Sequence, residues 1–320
     1  MRKNYNKALI SGYLYDVQLA KKTVKDTASA NFGKEFIQGN ISIATDEDFM
    51  NVVQVFYTYV TAKTKNGKEN KTFSFLSKFV ADDDAKKSLP IGLNVGKEAI
   101  KVSVDTAIAL NDFYSTQNEE FVSAPRCEGG FIKEINSLPD EDRNSFETDM
   151  IINQFIYHER DEEKEIDAYA ELKGVIFNFR NDILPICFTI KKPAGIKYFE
   201  DLDISQSNPI YTKVWGLINN TTARIKKVEE CAFDDEPKVT YSEFKRKEWL
   251  VVRAKKEPYL FDDENTITAA ELHKAIQDRE VYLAEVKKRA EEYQANKKNA
   301  DNAFNTVPTA SSIPTGNFTF

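Results

Sequence analysis

Apolar and polar residues alternate through most of the chain before Thr268, the period-two signature of strands with one face turned to a core. The early runs span 7–17, 36–44, 52–61 and 99–108, separated by polar or glycine-containing turns. Within 36–43 the expected dry face is Ile37, Gly39, Ile41 and Ile43, and the wet face is Phe36, Gln38, Asn40 and Ser42. The next run puts Val53, Val55, Tyr57 and Tyr59 inward, opposite Gln54, Phe56 and Thr58. A charged loop follows at 62–71 with an Asn66-Gly67 turn signal, and helical periodicity is nearly absent from this first part. The acidic stretch 111–150, with Pro125, Gly129, Gly130 and Pro139, reads as the last strand of one unit and a connector, with a break near Glu147. Strand-like runs resume at 150–157, 168–179, 183–191, 210–219, 223–228 and 249–254.

From Thr268 the period becomes helical. Thr268 and Glu271 form a capping box, and Leu272, Ile276, Leu283, Val286, Ala290 and Tyr293 line one face to about Lys297. Beyond Asp301 the chain has no charged side chain and too little apolar surface to fold alone, so a flexible tail ending in Phe318 and Phe320 is expected. Those two rings are candidate contacts for partner proteins. Four strings, ISGYLYD at Ile10, IQGNISI at Ile37, LKGVIFN at Leu172 and VWGLINN at Val214, set a glycine among strand residues. Such a glycine marks a bulge or tight bend and favours strongly curved or closed sheets.

The expected architecture is mainly β with a long C-terminal helix. An OB-like barrel at 1–146 is followed by a second β-rich, OB-like domain at 147–265, the helix at 266–297 and the tail at 298–320. A length of 320 residues accommodates two such units. The 22 Phe and 14 Tyr against 12 Gly fit a folded, strand-rich chain. No apolar run is long enough for a membrane span, and the opening residues lack the core of a secretory signal, so the expected location is cytoplasmic. Cys127, Cys187 and Cys231 lie far apart and read as buried thiols, not as a disulfide framework or a zinc ribbon.

Phosphate-cradling, dinucleotide, nucleophile-elbow and zincin motifs are all missing, and His158 and His273 sit in unrelated contexts. The acidic groups Asp46–Asp48, Asp82–Asp84 and Asp262–Glu264 are each local to one turn, whereas catalytic carboxylates converge from separate strands. The reading is therefore non-enzymatic, with no cofactor and no metal. Net charge is −7 overall, but residues 1–80 carry 12 basic and 7 acidic side chains, leaving −12 for the remainder. A basic amino-terminal unit with an acidic body suits a nucleic-acid grip joined to a partner-facing part.

Single strands are held by rings that stack on bases beside cations that follow phosphates. Phe36 and Phe56 occupy wet faces, with Lys34, Lys63, Lys65, Lys68 and Lys71 around them; Phe73 and Phe75 follow in KTFSFLSKF. In the second unit Tyr211, Lys213 and Trp215 alternate ring, cation, ring, and Arg224 follows. These are the candidate nucleic-acid contacts.

The stretches ISGYLYD, FGKEFIQGNISIATDEDFMNVVQVFYTYVT, KTFSFLSKF and VWGLINN together resemble phage-encoded single-stranded DNA-binding proteins of the OB-fold type. The resemblance implies that a strand crosses the central strands at Phe36, Gln38, Phe56 and the 63–71 loop. It also implies a role in phage replication or recombination in the host cytoplasm, with the tail reaching other proteins of those processes. This tail keeps terminal phenylalanines but lacks the acids of bacterial proteins in that class. Self-association stays open. The rival reading is a phage structural or assembly protein whose β modules contact other proteins; a metal-dependent nuclease is a minor one.

Overall fold

In the computed structural model residues 4–64, 66–80, 89–162, 167–229, 238–261 and 266–305 are described, with backbone alone for 221–229, 238–246 and 298–305. Phe318 and Phe320, with 306–320 of the expected tail, lie outside the described residues, as do Lys65 and Cys231, whereas 298–305, expected as tail, continue the C-terminal helix.

Five strands, β1 (Asn6–Thr23), β2 (Glu35–Ala44), β3 (Val52–Thr61), β4 (Lys101–Ser115) and β5 (Glu120–Glu134), form the first barrel. The order runs β2-β3-β5-β4-β1, and a further β1–β2 pairing closes the ring. β3 and β5 run parallel; helix α1 (Lys71–Ser77) lies between β3 and β4 in the chain. The second barrel repeats the plan with β6 (Asn144–His158), β7 (Tyr169–Phe177), β8 (Ile183–Ile190), β9 (Ile210–Glu229) and β10 (Lys238–Ala254). Its order is β6-β7-β8-β10-β9, closed by β6–β9, with β8 and β10 parallel and helix α2 (Pro193–Glu200) after β8. Two closed barrels with OB strand order thus stand in tandem. Antiparallel pairing of Asn6–Ile10 with Asn144–Thr148 joins them into a ten-stranded sheet.

Closure depends on strand glycines. At Gly39 a Cβ would lie 2.0 Å from the Gln18 carbonyl oxygen of β1, and φ is +136°. In the second barrel the corresponding approach is Gly174 to the Ile151 carbonyl oxygen, again 2.0 Å. Inward residues Ile37, Ile41, Ile43, Val53, Val55, Leu172, Ile176 and Phe188 are essentially sealed, as the alternation predicts.

Two features depart from the sequence pattern. Although helical periodicity is nearly absent here, KTFSFLSKF holds α1: Asn70 caps it by accepting the Thr72 N–H, and Phe75, Leu76 and Phe79 pack into the barrel core. Seven residues are too short a stretch for helical periodicity to show against its surroundings. Tyr59 does not point inward. The β2–β3 register shifts between Ile37 and Gly39, with Ile37 opposite Val60 and Gly39 opposite Tyr57, so the extra residue on β3 reverses the alternation and leaves Tyr59 44% exposed.

Helix α3 spans Ala269–Asn305 and begins with the expected box: Thr268 Oγ1 accepts the Glu271 N–H, and the Glu271 carboxylate accepts the Thr268 N–H. By compactness the chain divides into Met1–Leu110 with Pro125–Ile276, which holds both barrels, and Asn111–Ala124 with Gln277–Phe320. In the smaller unit the β4–β5 hairpin tip meets the helix. Arg279 donates twice to Asp112, at 2.9 and 3.2 Å, and Lys287 sits 5.0 Å over the Tyr114 ring. No helix among the described residues is long and apolar enough to cross a membrane.

Candidate nucleic-acid interface

The outward face of β2, β3 and β5 follows from the pleat. Once Ile37, Ile41, Val53, Val55 and Cys127 are committed to the core, Phe36, Gln38, Asn40, Phe56, Thr58 and Glu128 must point away from it. Registers Gln18↔Asn40, Asn40↔Phe56 and Phe56↔Glu128 make one row across four strands. Phe56 is half-buried, with the Arg126 guanidinium 5.0 Å from its ring centre. That guanidinium is pinned by an ion pair with Glu128, whose carboxylate also accepts the Thr58 hydroxyl at 3.2 Å. Phe56 is therefore flanked by a neutralised pair, and its open side has no fixed charge from that pair.

Phe36 pairs with the outward Tyr59, their centroids 4.8 Å apart and tilted 40°. Pairing against each other keeps two rings standing on a wet face where neither is covered by the core. The cations come from the adjoining loops. Lys34 is exposed and donates to Asn31 at 2.9 Å. Lys63 and Lys68 are exposed in the loop after β3, and Lys71 opens α1; none of the three forms an ion pair with a described residue. The face thus joins three rings to lysines whose charge is not spent internally.

Nothing in the local sequence pattern marks Arg126 or Tyr59 as part of this face. Arg126 lies 70 residues beyond Phe56 and reaches it only because β5 runs parallel to β3. No local pattern signals such a contact.

On the second barrel the expected stripe separates. Tyr211 is fully buried, which overturns its assignment as an outward ring. Its hydroxyl donates to Asn4 Oδ1, and Tyr259 and Phe261 cover its ring at 5.0 and 5.9 Å. Ile267, Leu272 and Ala275 complete this roof. Lys213 and Trp215 do face outward, each half-buried, while Thr212, Val214 and Ile218 fill the interior. Lys213 Nζ lies 2.8 Å from Glu147 Oε1 and 4.2 Å over the Tyr5 ring. Burial pulls the Lys213 ammonium down, but the Glu147 bond and the nearby Asp149 charge outweigh it and hold the ammonium above the ordinary lysine value. Arg224 lies in β9 opposite Glu243 by backbone register, and its side chain is outside the described residues.

Of the other candidate groups, Asp82–Asp84 and Asp262–Glu264 lie outside the described residues, and Cys187 is exposed, not buried as expected; the rest pack or pair locally. Asp46 accepts the Met50 and Asn51 N–H groups at 3.2 and 3.0 Å, and Glu47 pairs with Lys97 and Arg143, which hold its carboxyl below the usual range. Burial pushes the Cys127 thiol up to about 12, so it packs as an apolar group. His158 stacks on Tyr169 at 4.4 Å with Glu171 3.6 Å away.

Fold and surface define a tandem OB-type barrel protein whose first barrel carries outward rings on β2 and β3. By sequence the chain belongs to the YorF family, whose model matches residues 5–289. Among solved structures it is similar to the wild-type single-stranded DNA binding protein from Thermus aquaticus, at 9% identity and a TM-score of 0.45, over 80% of this chain and 94% of that one. It is likewise similar to a deletion mutant of that protein, at 10% identity and 0.45, over 82% and 98% of the two chains. A comparison with curated proteins finds no match.

Proposed function

We propose that this protein binds single-stranded DNA without catalysis and with little sequence preference, in the replication or recombination of phage DNA. One observation carries the reading: Phe36, Tyr59 and Phe56 stand on the wet side of the two strands that an OB barrel uses for ligands, beside Lys63, Lys68 and Lys71. Stacking on bases returns about 1–3 kcal/mol for each ring used. In this reading Lys34, Lys63, Lys65, Lys68 and Lys71 contact phosphates, and Gln38 offers hydrogen bonds to base edges.

Titration of labelled single- and double-stranded oligonucleotides over a range of salt tests it. Single strands should bind more tightly, with log affinity falling linearly against log salt at about 0.7 per phosphate neutralised. Absence of single-strand binding at low salt would remove the proposal. A second reading, assembly with other proteins, draws on the rings exposed outside the barrel face: Phe113 at 45%, Phe121 at 41% and Tyr293 at 69%. It predicts oligonucleotide titrations that stay flat.

A further inference from the structure

We infer that a groove on the seam between the barrels is a second contact for the strand, in which one unpaired base stacks on Trp215 and a neighbouring phosphate is met by Arg253. The inference rests on the single-strand reading above but concerns a different surface from the β2–β3 face.

Backbone register builds the groove. Lys7 of β1 pairs with Glu147 of β6, Glu147 with Trp215 of β9, and Trp215 with Arg253 of β10, giving one row of four outward side chains where the two barrels share their sheet. The space above this row is about 260 Å3. That is below the roughly 300–1,000 Å3 of sites for drug-sized ligands, a scale suited to a single base. Beneath it Gly216 is obligatory, since a Cβ there would lie 2.3 Å from both the Phe146 ring and the Leu250 carbonyl oxygen. Close packing at Gly216 thus fixes the strand that carries Trp215.

The two tryptophans contrast sharply. Trp249 is sealed in the core against Phe146 and Phe188, with centroids 5.6 and 6.5 Å away. Trp215 belongs to no apolar cluster among the described residues, is only half-buried, and has Lys213 Nζ 5.9 Å from its ring. A large outward ring that belongs to no apolar cluster is a stacking platform.

The charges around it are largely spoken for, which selects how a ligand enters. Lys213 neutralises Glu147 at 2.8 Å, and Lys7 pairs with Asp105 at 2.9 Å. Arg253 forms no ion pair with a described residue, so it is the cation left for a phosphate. Asp142, also lining the groove, repels phosphate and accepts N–H groups. A strand therefore enters base first, with its backbone toward Arg253.

The chain has two tryptophans, and Trp249 is only 8% exposed, so a change in intrinsic emission reports on Trp215. Anisotropy of a labelled oligonucleotide reports total binding in the same titration. The expected result is quenching that saturates with binding, and a loss of about 5- to 100-fold in affinity for long strands in Trp215→Ala, the range of one base stack. Arg253→Gln, which leaves the ring in place, should lower the salt slope by about 0.7; it carries the test if Trp215→Ala does not fold. Oligonucleotide binding with unchanged emission and a wild-type salt slope in Arg253→Gln overturns the groove and leaves the β2–β3 reading standing. No anisotropy change at all overturns that reading, and the groove with it.

Discussion

In the first barrel Phe36 stands three residues before the strand glycine Gly39, and Phe56 lies one pairing step beyond it, opposite Asn40. Around Gly174 of the second barrel the same places hold Glu171 and Pro185, the latter opposite Val175. Two residues to either side of the glycine the barrels agree: Ile37 and Ile41 in one, Leu172 and Ile176 in the other, all with 0% exposure. Inward positions are thus held to one solution by packing, and outward positions have diverged. The second face is neutralised by Lys173 and Glu171, 3.3 Å apart, and its Val175 packs, with Tyr259, Phe261, Leu272 and Ala275, into the apolar cluster around Tyr211. A shared strand order therefore does not confer a shared ligand; the ring and lysine content of the first face is what argues for nucleic acid.

The strongest way to break the comparison is to attack what the barrels have in common. Gly39→Ala and Gly174→Ala each push a Cβ to 2.0 Å from a carbonyl oxygen of the neighbouring strand, and the backbone atoms there have nowhere to retreat. Each should cost about 3 kcal/mol or more, lowering Tm by at least about 6 °C in a thermal melt. Gly39→Ala should be the worse of the two, because φ of +136° adds strain for any side chain. Near-wild-type melting of either variant would show that the glycine crossings do not hold the barrels closed.

Next in size is a change that copies one barrel onto the other. Phe36→Glu places the second barrel's residue on the first face, removing a stack and setting a carboxylate against phosphates. Single-strand affinity should drop by more than tenfold, and Phe56→Ala alone should cost about 1–3 kcal/mol of binding. Glu171→Ala and Pro185→Ala, the matching positions of the second barrel, should leave affinity unchanged. Equal losses on both barrels would mean that the strand uses both faces and that the outward divergence carries no functional meaning.

Much of this contrast was readable along the chain. Alternation in 36–44 assigned Phe36 and Gln38 to the wet face, and the glycine strings at Ile37 and Leu172 mark equivalent bends in β2 and β7. Legibility ended wherever a second segment intervened. A bulge between Ile37 and Gly39, set by pairing across strands, turned Tyr59 outward. Tyr211 obeys local strand geometry yet is covered by Tyr259, Phe261 and Ile267, some fifty residues further along. Short helices such as α1 and α2, of seven and eight residues, draw their stability from the core they cap, so their sequences hold little helical signal.

The smallest effect concerns that cover. Glu271 accepts the Thr268 N–H, and this bond, the leading cause, holds its carboxyl below the ordinary value. With the folded value depressed, the contribution is complete above the unfolded carboxylate range and is lost as pH falls through the folded one. Acid should therefore loosen the first turn of α3, and Thr268→Ala, which costs about 1 kcal/mol of capping, should loosen it at neutral pH as well. Faster amide exchange around Leu272 and Ala275 would register both. Oligonucleotide affinity at neutral pH should not move in Thr268→Ala, because the turn roofs the second barrel while the rings that argue for DNA stand on the first. A gain in affinity on loosening would mean that the roof hides a binding face, and the two barrels would then differ in access and not in chemistry.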